Sequence, residues 1–104
     1  MPLLTIREAA AGRNWVVRPI GDLDMATAQE FDDRLMAAAR DHRDGLLIVD
    51  LAGVDFLDSS GLRVLLAAAR AAQADGGRLR LRPGPPSVQR VFEVSGTEYL
   101  LPFE

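Results

Sequence analysis

The stretch Leu46-Leu47-Ile48-Val49-Asp50-Leu51, with Asp58-Ser59-Ser60-Gly61 close behind it, constrains this chain most. A short and nearly unbroken apolar run is the pattern of a strand covered on both faces, usually the middle of a parallel sheet. Parallel strands need long crossovers, most often helices. The flanking residues supply them. After Gly61, Leu62, Leu65, Leu66, Ala69 and Ala72 recur at helical spacing. Upstream, Ala28, Phe31, Leu35, Ala38 and Ala39 form a second apolar stripe, with Asp32, Asp33, Arg34 and Arg40 on its other side.

The remaining elements follow from the same periodicities. Leu4, Ile6 and Glu8 alternate as in an edge strand, and Ala10 to Asn14, with Gly12, reads as a hairpin turn. Trp15 to Ile20 is a second strand that Gly21 ends, and Arg18 and Pro19 predict a wet side or an irregular end. Thr27 and Glu30 stand at capping-box spacing, with Asp24 as the other candidate cap, and the helix should end near Asp41 to Gly45, where Gly45 is a good stop. Val54 to Leu57 reads partly as loop. Gly76-Gly77 ends the second helix, and Leu79 and Leu81 alternate with Arg78, Arg80 and Arg82 in a half-exposed strand. Pro83 to Pro86 is a turn that opens a third helix carrying Val88, Val91 and Phe92, which Gly96 stops; Tyr99-Leu100-Leu101 is a last short strand. The expected fold is α/β, one domain over residues 1–104, with a mixed, mostly parallel sheet in the order β-β-α-β-α-β-α-β.

Composition narrows the chemistry. At 104 residues, 48% hydrophobic and 26% charged, the chain is long enough for one small domain with a real core. It has no cysteine, which excludes disulfides, thiol nucleophiles and cysteine-built metal sites. A single histidine, His42, argues against a histidine-rich metal centre, so no metal and no cofactor is expected. All 12 basic residues are arginine, which removes lysine-based chemistry. A net charge of −3 makes nucleic-acid binding a poor expectation. No apolar run is long enough to span a membrane, and Met1-Pro2-Leu3-Leu4 lacks the basic flank and apolar core of a signal peptide. The chain is therefore expected in the cytoplasm, without membrane insertion.

In an open parallel sheet, function gathers where strands end at their carboxyl side. Two compact polar loops lie there, Gly21 to Asp24 and Asp55 to Gly61. If they are neighbours, Asp22, Asp24, Asp55, Asp58, Ser59 and Ser60 share one rim. One reading of Asp58-Ser59-Ser60 is a helix cap, since Asp and Ser are favoured there. The other is a phosphorylated Ser59, its phosphate held by the free N–H groups and positive end of a helix. Such a phosphate would add charge and bulk to an acidic rim and disturb a partner interface. The spacing of the aspartates is too common to mark a metal site. No base stands near Ser59 to make it a nucleophile. His42 reads as an exposed helix-end residue, Met25 and Met36 as packing, and Trp15 as core or edge cover. The Arg78, Arg80, Arg82 row reads as a solvated strand face, with an anion or acidic-partner patch as the other possibility.

Taken together, Gly21-Asp22-Leu23-Asp24, Leu47-Ile48-Val49-Asp50-Leu51, Val54-Asp55-Phe56-Leu57-Asp58-Ser59-Ser60-Gly61-Leu62 and Val88 to Gly96 resemble a STAS domain of the anti-sigma-factor antagonist family. The resemblance runs over almost the whole chain. It implies a non-enzymatic partner switch. An unphosphorylated antagonist binds an anti-sigma factor that is also a GHKL-type serine kinase, which frees a sigma factor. The kinase phosphorylates the antagonist, which lets go, and a PP2C-type phosphatase resets it. By this resemblance Ser59 is the phospho-acceptor, Asp24 lies beside it, and Asp22, Asp55, Asp58, Ser60 and Gly61 belong to the partner surface. The chain departs from the pattern at Asp22, where glutamate is common, at Arg63, where a smaller residue is usual, and at Thr97. A C-terminal helix is expected to be absent or very short. The alternative within the fold is a STAS subunit of a lipid-transport ABC system or a stressosome-like assembly, whose members do not all use the serine. A serine-nucleophile enzyme is the third reading, and it lacks a visible base.

Overall fold

Alternating side chains close residues 4–23 into a hairpin, and a helix is laid across it. β1 (Leu4–Ala11) pairs antiparallel with β2 (Asn14–Leu23). Gly12, with φ of 61°, takes the turn that a side chain would strain. The structure, a computed structural model, describes residues 3–104; Met1 and Pro2, half of the stretch read above for a leader, lie outside the described residues. Helix α1 (Ala28–Asp41) follows, then β3 (Leu47–Asp50), β4 (Val54–Leu57), α2 (Ser59–Ala74), β5 (Leu79–Arg82), α3 (Pro86–Ser95) and one 3₁₀ turn, Glu98–Leu100.

The sheet runs β1-β2-β3-β5, and every pairing but the first is parallel. β2 uses one edge twice. Trp15 to Val17 pair with β3, and Gly21 to Leu23 pair with β4. Pro19, which has no N–H to give, falls between these two stretches. One core cluster joins Val17, Val49 and Leu81 of the sheet to Phe31 and Leu35 of α1, Leu65 of α2 and Phe92 of α3. All three helices thus pack on one face. The other face carries Val16, Ile48 and Asp50, which are buried although they lie outside that cluster. The apolar run is therefore covered on both sides, as its pattern requires, but only one cover is helical. Over Asp50 the cover is the Arg18 guanidinium, 2.9 Å away.

The α/β class, the single small domain, the mixed sheet and the three helices agree with expectation. The element order does not, and reads β-β-α-β-β-α-β-α. Gly21 does not end β2. At φ of 115° it lets the strand continue through a bulge, and a Cβ there would lie 2.2 Å from the Leu3 carbonyl oxygen. The residues read partly as loop, Val54 to Leu57, are the strand that pairs with this continuation. Tyr99 to Leu101 form no strand: Glu98–Leu100 is a 3₁₀ turn, and Phe103 bridges β5 at Leu81 instead. α1 ends at Asp41, within the expected Asp41–Gly45 span, but His42 and not Gly45 is its C-cap. Gly45 instead lies against the hairpin, where a Cβ would meet the Arg13 carbonyl oxygen at 2.2 Å. Met25 and Met36 are not packed but exposed, at 83% and 61%.

Candidate functional site

The rim at the carboxyl end of the sheet is built on the last residue of β2. The main-chain oxygen of Leu23 accepts the Asp58 N–H at 3.1 Å, so the end of β2 and the start of α2 are tied directly. Gly61 makes this approach possible. A Cβ on it would lie 2.6 Å from Leu23 O, 2.7 Å from Leu57 Cδ1 and 2.8 Å from Leu23 Cβ. The glycine in the motif is thus a packing requirement in the first turn of the helix.

Asp58 alone caps α2. Its Oδ1 accepts the N–H groups of Ser60 at 2.8 Å and Gly61 at 3.2 Å. Ser59 is the first residue of the helix and is exposed; its hydroxyl takes no part in the cap. The two readings of the sequence are therefore compatible: Asp58 does the capping and leaves Ser59 free. Arg63 lies four residues on, exposed on the same helical face.

On the other side of Leu23 the chain turns tightly into α1. Asp24 Oδ1 accepts the N–H groups of Ala26 and Thr27 at 2.9 and 3.2 Å. The buried Thr27 hydroxyl donates to Asp22 O at 2.7 Å and accepts the Asp24 N–H at 3.0 Å. The capping box with Glu30 does not form, because Thr27 looks back into the loop and Asp24 does the local capping. This role of Thr27 is what the sequence reading missed; a threonine three residues after an aspartate was its one local sign. Leu23 lies in the core, so Asp22, its neighbour on the strand, faces the side without helices. Asp22 pairs with Phe56 and Gly21 with Val54, which leaves Asp55 unpaired as the extra residue of the bulge, and exposed. The two loops are thus neighbours, with Asp24, Asp58, Ser59, Ser60 and Gly61 gathered around Leu23 and Asp22 and Asp55 on the outer side. Two exposed apolar side chains, Met25 and Phe56, border this acidic rim.

His42 is not a free helix-end group. It is half-buried and its ring stacks on Trp15, with centroids 3.7 Å apart and planes at 6°. Trp15, partly buried against the core cluster, lies at the far end of β2, eight residues or about 26 Å from Leu23, so His42 cannot serve Ser59 as a base. Among the described residues, no group of three or more His, Asp or Glu side chains is disposed to hold a metal ion. No helix among them is long and apolar enough to cross a membrane.

The family model described as "Mlab, STAS domain" matches residues 6–102. The chain is 32% identical over 81 residues to the anti-sigma F factor antagonist of Lysinibacillus sphaericus, covering 78% of this chain and 69% of that one. An anti-sigma factor antagonist from Mycobacterium paratuberculosis has the same fold, with a TM-score of 0.85 at 26% identity over 96% of this chain and 84% of that one. The anti-sigma factor antagonist SpoIIAA in its unphosphorylated form gives 0.76 at 25% identity, over 96% and 88%.

Proposed function

The chain belongs to the STAS domain family, and from that premise we propose that it is an anti-sigma-factor antagonist switched by phosphorylation of Ser59. Unphosphorylated, it binds an anti-sigma factor that is a GHKL-type serine kinase, and so releases a sigma factor in the cytoplasm. The kinase transfers a phosphoryl group to the Ser59 oxygen and the complex separates; a PP2C-type phosphatase hydrolyses the phosphoserine and restores binding. The contact surface is the rim of Asp22, Asp24, Asp55, Asp58, Ser60 and Gly61, with Met25 and Phe56 as its apolar part. The chain itself regulates and does not catalyse.

The observation that carries this reading is the division of labour at the start of α2. Asp58 holds the N-terminal amides, so the Ser59 hydroxyl is exposed and free to react without unwinding the helix. A subunit of a lipid-transport system or a stressosome-like assembly does not necessarily use such an acceptor. The test is phosphorylation by the cognate kinase with ATP and magnesium, followed by peptide mapping. One phosphate on Ser59 is expected. Phosphate on Ser60, or none from a kinase that does bind, overturns the proposal.

A further inference from the structure

Away from Asp22 at the carboxyl end of β2, guanidiniums, the opposite sign to the rim, predominate on the helix-free face of the sheet. Two rows of side chains cross it. In one, Arg7 faces Arg18 across the β1–β2 pair, Arg18 reaches Asp50 on β3, and Asp50 lies opposite Arg82 on β5. In the other, Ala9, Val16, Ile48 and Arg80 follow in register. Four guanidiniums thus stand over a strip of small and apolar side chains, in a protein whose net charge is −3. Asp50 pairs with Arg18 at 2.9 Å and Glu104 with Arg82 at 3.5 Å. Among the described residues Arg7 and Arg80 have no carboxylate partner.

Two features distinguish this face from ordinary solvated surface. Arg7 and Arg18 lie directly opposite one another, and like charges in that position destabilise a sheet. Asp50 already offsets the Arg18 charge, so a bound carboxylate would act chiefly on Arg7, which has no such partner among the described residues. Two of the guanidiniums are also held in place: Arg18 by Asp50, and Arg80 by the carbonyl oxygens of Gly77 at 3.0 Å and Leu79 at 2.7 Å. Cations already fixed lose less freedom when a partner binds.

We infer that this face docks an acidic segment of a protein partner, at a surface separate from the Ser59 rim. Arg18 is four residues from Asp22 along β2, about 13 Å. From Arg7 to Arg82 the row spans three strand spacings, about 14 Å, too far for one small anion. An extended segment with a carboxylate at every second residue repeats at about 7 Å and can meet several of the four. The occupant is a peptide rather than a nucleic acid because the acidic rim on the same domain repels a long polyanion, whereas a short segment meets the arginine rows alone.

The test uses the full chain and poly-L-glutamate of about twenty residues. Binding at low salt is expected, with amide shifts centred on Arg7, Val16, Ile48 and Arg80. The double variant Arg7→Gln/Arg80→Gln should weaken it by about fivefold or more, as loss of two exposed ion pairs allows. Arg70→Gln/Arg90→Gln, which has the same net charge but alters exposed helix positions, should leave affinity unchanged. No binding, equal weakening by both variants, or shifts centred on α2 would overturn the proposal. Tighter binding of duplex DNA would replace the acidic segment with a nucleic acid. Self-association abolished by Arg7→Gln/Arg80→Gln would replace it with a second copy. The shifts are read on the wild-type chain, so the result stands even if the variants fold poorly.

Discussion

Asp58 and Gly61 divide the work of starting α2, and substitutions should separate their roles from that of Ser59. Asp58→Ala removes the acceptor for two first-turn N–H groups and should cost about 0.5–2 kcal/mol of stability in urea unfolding. Ser59→Ala removes an exposed hydroxyl outside the cap and should cost less than about 0.5 kcal/mol. A larger loss for Ser59→Ala than for Asp58→Ala would show that the serine holds the helix. Gly61→Ala is a different case. The nearest obstacle to the new methyl is the Leu23 carbonyl oxygen at 2.6 Å, which is backbone and cannot swing aside. Strand and helix must part, at about 1–3 kcal/mol by analogy with overpacked cores. The same unfolding measurement checks it, and a Gly61→Ala protein as stable as wild type would mean the two elements are less tightly seated. In the sequence, a cap somewhere in Asp58-Ser59-Ser60 was legible from residue type and position, but Asp and Ser are both favoured there, so which of them supplies it was not. The reason for Gly61 was not, because it depends on a carbonyl 38 positions upstream.

Between elements, one polar tie joins β1 to its neighbours through Glu8. Its carboxylate accepts the Trp15 indole N–H at 2.8 Å and the Arg34 Nε–H at 2.8 Å, so one side chain links β1, β2 and α1. Burial alone would push the Glu8 carboxyl up. The bonds from Trp15 and Arg34, with the Arg34 charge, outweigh it and hold the group below the usual glutamate range. The folded protein thus favours the ionised form more than the unfolded chain does. That contribution is complete above the ordinary glutamate pKa of about 4.3. It is lost as pH falls through that value and then through the lower folded one. Glu8→Gln should therefore be clearly less stable than wild type at neutral pH, with the gap narrowing below about pH 4; urea unfolding at both pH values checks it, and a gap that widens on acidification contradicts it. Glu8 read only as a strand residue in the sequence, because its partners lie 7 and 26 positions away. Legibility of the elements followed the same rule. The helices and the long hairpin show their own periodicity. The end of β2 and β4 are strands only because they pair with each other, so reading Gly21 as a stop concealed both. At Tyr99–Leu101 an apolar run of strand length sits just beyond the αL stop at Gly96 and turns into a 3₁₀ helix instead.

At the scale of the whole molecule, charge is largely sorted by surface: carboxylates predominate around the Ser59 rim, and guanidiniums on the open sheet face, where Asp50 and Asp22 are the exceptions. That sorting decides what a phosphate on Ser59 can do to the domain. The added charge of about −1.5 to −2 sits next to Asp58 and near Asp24, which repel it. Two features offset this. The first-turn end of a sixteen-residue helix attracts an anion by about 0.3–1 kcal/mol at an exposed site. Arg63, one turn along on the same face, can swing onto the phosphate; such pairs contribute about 0.2–0.5 kcal/mol. At physiological salt the screening length is about 8 Å, so more distant charges, including the arginines across the sheet, matter little. The opposing effects are similar in size and small beside a packed core. Phosphorylated and unphosphorylated forms should therefore share one backbone, with amide shifts confined to Gly21–Asp24, Asp55–Gly61 and the Arg63 turn. The partner would then sense the phosphate directly, through charge and bulk at a desolvated interface, where like-charge conflict costs several kcal/mol. Arg63→Ala should enlarge the shifts at Asp24 in the phosphorylated form, because one of the two offsets is gone. Shifts spread through Leu47–Asp50 and α3 would instead mean that phosphorylation remodels the fold, and that the switch works by conformation rather than by contact.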